Sequence, residues 1–192
     1  MNLLFFDTET TGKPLNYRLP MSQVDNWPRL VQIGWIQFSD GSKMSAEFIV
    51  KPDGFVIPQE ATNVHQISQE EALLKGVPVK EVVDLFASWI ALSDAVIGHN
   101  ITFDVNVFGA EYWRLYGKDP FAGKKIVDTM TSSTNYCKIQ GSYGYKWPKL
   151  SELYQVLFEK DMGHAHTALA DIENTASCYF ELVKRGVLQE IA

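Results

Sequence analysis

Four large apolar residues, Leu3 to Phe6, run without a break near the start of the chain and lead into Asp7, Thr8 and Glu9. A short continuous apolar run fits a strand buried on both faces, as at the centre of an α/β sheet. Residues 13–29 follow as a polar connection holding Pro14, Pro20 and Pro28, with no helical period. Residues 30–38 read as a strand, Ser39-Asp40-Gly41-Ser42 as a hairpin turn, and residues 44–50 as the return. The first three strands are therefore predicted to form an antiparallel meander.

Beyond it the pattern alternates between helix and strand. Pro58-Gln59-Glu60-Ala61 opens a short helical turn leading to Val64-His65-Gln66-Ile67, and Ser68-Gln69-Glu70-Glu71 has the character of a capping box before another short helix. Pro78 starts a longer helix whose apolar face comprises Val82, Val83, Leu85, Phe86, Trp89 and Ile90. Ala95-Val96-Ile97-Gly98 is a short buried strand, and Thr102 is placed to cap a helix running to about Tyr116. Lys125-Ile126-Val127-Asp128-Thr129 reads as a last strand entering a helix, and residues 141–148 as a loop. Leu150, Leu153, Tyr154, Leu157 and Phe158 mark an amphipathic helix, and a final helix spans residues 167–184, ending at Gly186. With no repeat and no break in the pattern, the expectation is one domain over residues 1–192: a mixed sheet with helices packed on it.

Composition adds bounds. A chain of 192 residues with 46% hydrophobic and 21% charged residues can bury a core of ordinary size. Two cysteines, Cys137 and Cys178, make no disulfide framework and fit a reducing cytoplasm. The leading apolar run is too short for a signal peptide or a membrane span. A net charge of −6 speaks against nucleic-acid binding taken alone, since phosphate contacts need cations. The charge is uneven, however. Residues 124–149 hold five lysines against one acid, Asp128, with Tyr136, Tyr143, Tyr145 and Trp147 interleaved, a composition suited to a nucleic-acid strand or to a solvated loop.

The chemistry sits in the acids. Side chains at i and i+2 of a strand point the same way, so Asp7 and Glu9 project together. Two carboxylates at a buried strand end repel, and sharing a proton or binding a cation relieves them; the plainer alternative is a solvated strand end feeding the Thr10-Thr11-Gly12 turn. Asp104 follows the fourth strand in the first turn of a helix, where it either faces the sheet's end or simply favours the helix dipole. Asp171 lies five residues after His166, close enough to converge across a helix start. His164 and His166 could form part of a zinc site, but no cysteine or third histidine lies nearby in sequence.

Together these stretches resemble the DEDDh 3′–5′ exonuclease family, which includes the proofreading subunit of bacterial DNA polymerase III, ribonuclease T and oligoribonuclease. Phe6-Asp7-Thr8-Glu9-Thr10-Thr11-Gly12 matches the family's first motif, His99-Asn100-x-x-Phe103-Asp104 the second, and His166-x-Ala168-Leu169-x-Asp171 the third. Glu60, Val64-His65-x-Ile67, Val127-Asp128-Thr129 and Lys149-Leu150-x-x-Leu153 are fainter matches, so the likeness runs over residues 2–185. It implies a ribonuclease-H-like fold, with a five-stranded mixed sheet of three antiparallel strands followed by parallel ones, flanked by helices.

The resemblance also implies roles. Asp7, Glu9, Asp104 and Asp171 would hold two Mg²⁺ or Mn²⁺ ions with Asp7 as the bridge, and His166 would be the general base. Glu9, Thr10, Glu60 and His65 would contact the terminal nucleotide. The implied activity is removal of nucleoside 5′-monophosphates from the 3′ end of single-stranded nucleic acid, DNA being favoured, in a setting that could include a DNA polymerase and no membrane. Alternatives are an exoribonuclease acting on RNA 3′ ends or short oligonucleotides, and a non-catalytic accessory subunit of a polymerase complex. The motif residues are all present, which disfavours the last, and with few residues after the final helix no long polymerase-binding tail is expected. Gln66, where relatives usually carry glycine, and the long connection at residues 13–29 depart from the family pattern and bear on substrate preference.

Overall fold

The computed structural model describes residues 1–163 and 168–191. Its elements run β1 (Asn2–Thr10), β2 (Leu30–Ser39), β3 (Ser42–Lys51), α1 (Gln59–His65), α2 (Gln69–Lys75), β4 (Val77–Pro78), α3 (Val79–Leu92), β5 (Ala95–Gly98) and α4 (Ile101–Tyr116). They continue with β6 (Lys125–Asp128), α5 (Thr129–Cys137), a small hairpin of β7 (Gln140–Gly141) and β8 (Gly144–Tyr145), α6 (Leu150–Phe158) and α7 (Ala168–Lys184). Among the described residues the main sheet has six strands, ordered β4-β3-β2-β1-β5-β6. β1 pairs antiparallel with β2, from Asn2 opposite Ser39 to Thr10 opposite Leu30, and parallel with β5. It is thus the strand at which the antiparallel half meets the parallel half.

The expected five-stranded mixed sheet is present with one strand more. Val77 and Pro78 add a two-residue edge to β3, parallel to Val50 and Lys51. So short a segment has no periodicity of its own to reveal it, and proline is tolerated there because the strand is an edge. Gly76 permits the approach, since a Cβ at that position would lie 2.6 Å from the Lys51 backbone nitrogen. A further correction concerns the loop at residues 141–148, whose first half closes the β7–β8 hairpin. Another is the start of α4, where Asn100 in a left-handed conformation precedes the helix and Thr102 lies inside its first turn.

The strand alternation sorts the core into two layers. Leu4 and Phe6 pack with Val82, Phe86 and Ile90 of α3 and with Val107 and Phe108 of α4. Leu3 and Phe5 face the other way, against Ile172, Ala176 and Tyr179 of α7. Helices on both faces account for the unbroken apolar run of β1. Leu85 points outward at α3, narrowing the expected face to Val82, Val83, Phe86 and Ile90 with Trp89 partly covered.

The polar connection between β1 and β2 is tied down by hydrogen bonds rather than by a core of its own. Asn16 donates its backbone N–H to Asn26 Oδ1 at 2.8 Å, and Asn26 Nδ2 returns a bond to the Asn16 carbonyl at 2.9 Å. Met21 lies flush on α4 because Gly109 has no side chain there; a Cβ would sit 2.4 Å from the Met21 sulfur. Glu111, 2% exposed, accepts from Arg29 Nε at 2.8 Å and from the Leu30 N–H at 3.1 Å, and lies 3.2 Å from Arg114 Nη1. Arg114 in turn donates to the Val24 and Trp27 carbonyls. Removing one partner of a buried ion pair strands the other charge at a cost of roughly 3–5 kcal/mol. Glu111→Ala is therefore expected to destabilise the protein by about that much in urea unfolding, with Glu111→Gln losing distinctly less.

Candidate active site

β1 and β5 run parallel and end at the same edge of the sheet, where carboxyl-terminal strand ends in an open α/β sheet leave a crevice. Asp7 and Glu9 lie on the α7-facing side of β1, following Phe5 in register, and both are partly exposed where the apolar cover ends. Thr8, on the other side, is buried against α4 and holds Asp104. Asp104 Oδ1 accepts from the Thr8 N–H at 3.0 Å and from the Thr8 hydroxyl at 2.6 Å. Asp104 is only 4% exposed. Asp171 sits in the first turn of α7, within electrostatic reach of both Asp7 and Glu9.

Four carboxylates thus meet at the end of β1, and their ionisation is perturbed accordingly. Burial pushes the Asp7 carboxyl well above its ordinary range, and Asp104, Glu9 and Asp171 push it further, against one lowering contact from the Thr8 N–H. Glu9 is raised to about 7, by burial and then by Asp171. Asp104 is also raised to about 7 by burial and by Glu9, although the Thr8 hydroxyl and N–H pull it down. The donor set is all oxygen and all anionic, which suits hard divalent cations. Among the described residues no three His, Cys, Asp or Glu side chains are gathered closely enough to hold a metal ion as they stand. The donor chemistry fits such an ion, and adding positive charge is what would let these side chains close on one another.

The expected substrate contacts are placed unevenly. Thr10, at the end of β1, is buried and its hydroxyl donates to the Gly12 carbonyl at 2.7 Å, so it shapes the turn instead of facing outward. His65 closes α1; its Nδ1 accepts from the Ile67 N–H at 3.1 Å, which leaves the proton on Nε2. Nε2 is covered, without a well-formed hydrogen bond, and the Thr10 backbone carbonyl opposes the lowering of the ring's pKa by burial. The structure therefore brings His65 to the end of β1. Glu60 stands exposed in the first turn of α1, roughly 140° around the helix from His65 at 100° per residue. His164 and His166 lie outside the described residues.

The lysine-rich stretch is divided among several tasks. Lys124 Nζ donates to the Ala91 and Ser93 carbonyls, closing the end of α3, and Lys146 pairs with Glu152 at 2.5 Å. Tyr136 accepts from Arg185. One contributor to the site, Thr8, carried no separate role in the sequence. Its signal was its position within the motif, since a threonine between two acids in a strand must face the opposite layer.

The family model described as Exonuclease matches residues 4–179. The DNA polymerase III PolC-type of Pediococcus pentosaceus is 28% identical over 184 residues, covering 93% of this chain and 11% of that protein. The PolC-type polymerase of Streptococcus mutans is likewise 28% identical, covering 94% of this chain and 11% of that one. The chain spans about a tenth of the length of these relatives. In fold it is similar to Exonuclease I of E. coli in complex with a dT13 oligonucleotide, with a TM-score of 0.73 at 21% identity over 95% of this chain and 41% of that one. It is also similar to Exonuclease I from Methylocaldum szegediense, with a TM-score of 0.71 at 22% identity over 96% of this chain and 40% of that one. A zinc-ion-bound form of the E. coli protein with single-stranded DNA has a TM-score of 0.71 at 22% identity, covering 96% of this chain and 40% of that one.

A carboxyl whose folded pKa is raised keeps a proton that the unfolded chain has released. Its contribution to stability is present below the unfolded value near 4 and is lost as pH rises through the folded value, about 7 for Glu9 and Asp104. In chelator, the thermal midpoint is expected to fall between about pH 5 and pH 8, and Asp104→Asn should flatten that fall. Equal slopes for wild type and Asp104→Asn would refute the crowding of these acids. A divalent cation should restore stability at the alkaline end in the wild type.

Proposed function

This chain belongs to the exonuclease family, and on that premise we propose that residues 1–192 form a single 3′–5′ exonuclease domain that hydrolyses the terminal phosphodiester of a nucleic-acid strand. The gathering of Asp7, Glu9, Asp104 and Asp171 at the carboxyl end of β1, with three of them held above their ordinary pKa, carries the proposal. Those four side chains would hold two Mg²⁺ or Mn²⁺ ions, with Asp7 the shared ligand. Bound there, the ions would supply charge to stabilise the attacking water and the leaving 3′ oxygen in an in-line displacement.

The chain's own residues do the rest. Asp7 and Glu9 are presented by a strand packed on both faces, so their spacing is rigid. The Thr8 hydroxyl and N–H orient Asp104 and leave its second oxygen for a ligand. His166, assigned from its motif alone, would take the proton from the attacking water while neutral. Glu9, Thr10, Glu60 and His65 would contact the terminal nucleotide, the Nε2–H of His65 becoming a donor to it once the nitrogen, covered in this structure, is opened to the site. The product is a nucleoside 5′-monophosphate. Likeness to PolC-type DNA polymerases supports DNA as substrate and a polymerase setting, and the Exonuclease I complexes support a single strand.

Labelled single-stranded DNA, duplex DNA and RNA, each with and without Mg²⁺ or Mn²⁺, test the reaction and its substrate together. Single-stranded DNA is expected to shorten from its 3′ end only with the cation, and cleavage of RNA alone would favour the exoribonuclease reading. Asp7→Ala and Asp171→Ala should abolish this while the protein stays folded by circular dichroism; a near wild-type rate for Asp7→Ala would overturn the metal assignment. His166→Ala is expected to lose roughly 10²–10⁴-fold in kcat, the usual worth of a general base, and the acidic limb of its pH profile should weaken. His164→Ala should change little. A severe His164→Ala with a mild His166→Ala would mean the other histidine is the base.

A further inference from the structure

At the start of α4 the surface opens into a groove of about 460 Å³, within the size range of roughly 300–1,000 Å³ usual for small-ligand sites. Its walls include Tyr17, Phe103 and Trp147, with Asn100, Thr102 and Asp128 among the polar lining. Phe103 precedes Asp104 in the first turn of α4, which places this wall of the groove one residue along the chain from the candidate active site. The Tyr17 and Phe103 rings lie with centroids 6.5 Å apart, tilted by 40° to each other. Tyr17 is 57% exposed and Trp147 is 64% exposed, far more than a core role would leave them.

Both exposed aromatics are held in place from the next residue along the chain. Asn16, before Tyr17, is locked by its reciprocal hydrogen bonds with Asn26. Pro148, after Trp147, gives its carbonyl to His99 Nε2 at 3.0 Å, while His99 Nδ1 lies 3.0 Å from Thr129 Oγ1. A half-buried histidine from the end of β5 thus pins the loop that carries Trp147. Large apolar faces kept rigid and open to solvent bind a flat partner with little loss of side-chain entropy.

The lining identifies the kind of partner. Among the described residues no lysine or arginine lines the groove, and Asp128 would repel a phosphate. Aromatic faces with amide and hydroxyl groups at their edge suit an uncharged, planar, hydrogen-bonding ring. We propose that Tyr17 and Trp147 form a stacking site for an unpaired nucleobase of the substrate strand, upstream of the bond being cut. This rests on the exonuclease reading and deepens it, because a base stacked in the groove cannot remain in a duplex. It joins two stretches, the polar connection and the loop after β8, to a single task.

The test is binding, read separately from cleavage. A 5′-fluorescein-labelled deoxythymidine oligomer is titrated with protein in chelator and followed by anisotropy. Loss of one stacking contact is worth about 5- to 150-fold in affinity. Tyr17→Ala and Trp147→Ala should each raise Kd by an amount in that range, whereas Trp147→Phe should keep most of the affinity. An abasic site moved along the oligomer should weaken wild-type binding at one upstream position, and Trp147→Ala should no longer register it. Unchanged Kd in both alanine variants, no position sensitive to base removal, or no binding of the oligomer by the wild type would each overturn the stacking site. Wild-type protein that binds in this way but hydrolyses neither DNA nor RNA with Mg²⁺ or Mn²⁺ would leave the stacking site standing and remove the exonuclease reading.

Discussion

Negative charge crowded at the end of a buried strand is the constraint on which this molecule turns. Asp7 and Glu9 are placed there by β1, Asp104 by the first turn of α4, and Asp171 by the first turn of α7. None of these elements gains stability from the encounter, since each acid loses solvation and meets its like. What holds them is apolar packing on both faces of β1, with Leu4 and Phe6 against α3 and α4 and with Leu3 and Phe5 against α7. The core thus sustains a site that is electrostatically unfavourable by itself, the arrangement expected where strain is retained for chemistry.

Thr8 shows how closely the two layers are joined at that point. Its neighbours on either side turn toward α7, while its own hydroxyl and N–H turn to α4 and grip Asp104. One strand residue therefore sets the position of an acid 96 residues away in sequence. The contact also moderates the pKa of Asp104, favouring its charged form against the pull of burial. An acid freed from that grip would be protonated more readily and aimed less well.

The outer parts of the molecule are ordered by polar links where apolar ones are scarce. The connection at residues 13–29 has few core residues, yet the Asn16–Asn26 pair and the Arg29–Glu111–Arg114 cluster fasten it to α4. The loop before α6 is held by His99 and by Glu152, whose carboxylate accepts from the Lys149 N–H at 2.8 Å. Both anchored segments meet Phe103 of α4, which is why one groove can have aromatic walls from three distant stretches of the chain. The fold is shared with Exonuclease I at low identity, so these surface segments, more than the sheet, are where the chain can be individual.

Local pattern by itself determined the inner framework. The unbroken run at residues 3–6 identified a doubly covered strand, the Asp40–Gly41 turn set the hairpin, and the period-two rule put Asp7 and Glu9 on one face. These follow from neighbours in sequence, so no knowledge of the rest of the chain was needed. The edge strand at Val77 and Pro78 was not legible, because two residues have no period and only their meeting with β3 makes them a strand. The lysine-rich stretch looked like one surface, yet Lys124 and Tyr136 serve separate partners distant in sequence and Lys146 pairs with Glu152 of the following helix. That Thr8 holds Asp104, that His65 reaches the end of β1, and that Tyr17 and Trp147 share a groove were decided by tertiary structure alone. Each is a contact between segments separated by tens of residues, and the packing of helices on a twisted sheet selects such contacts with no trace in local periodicity.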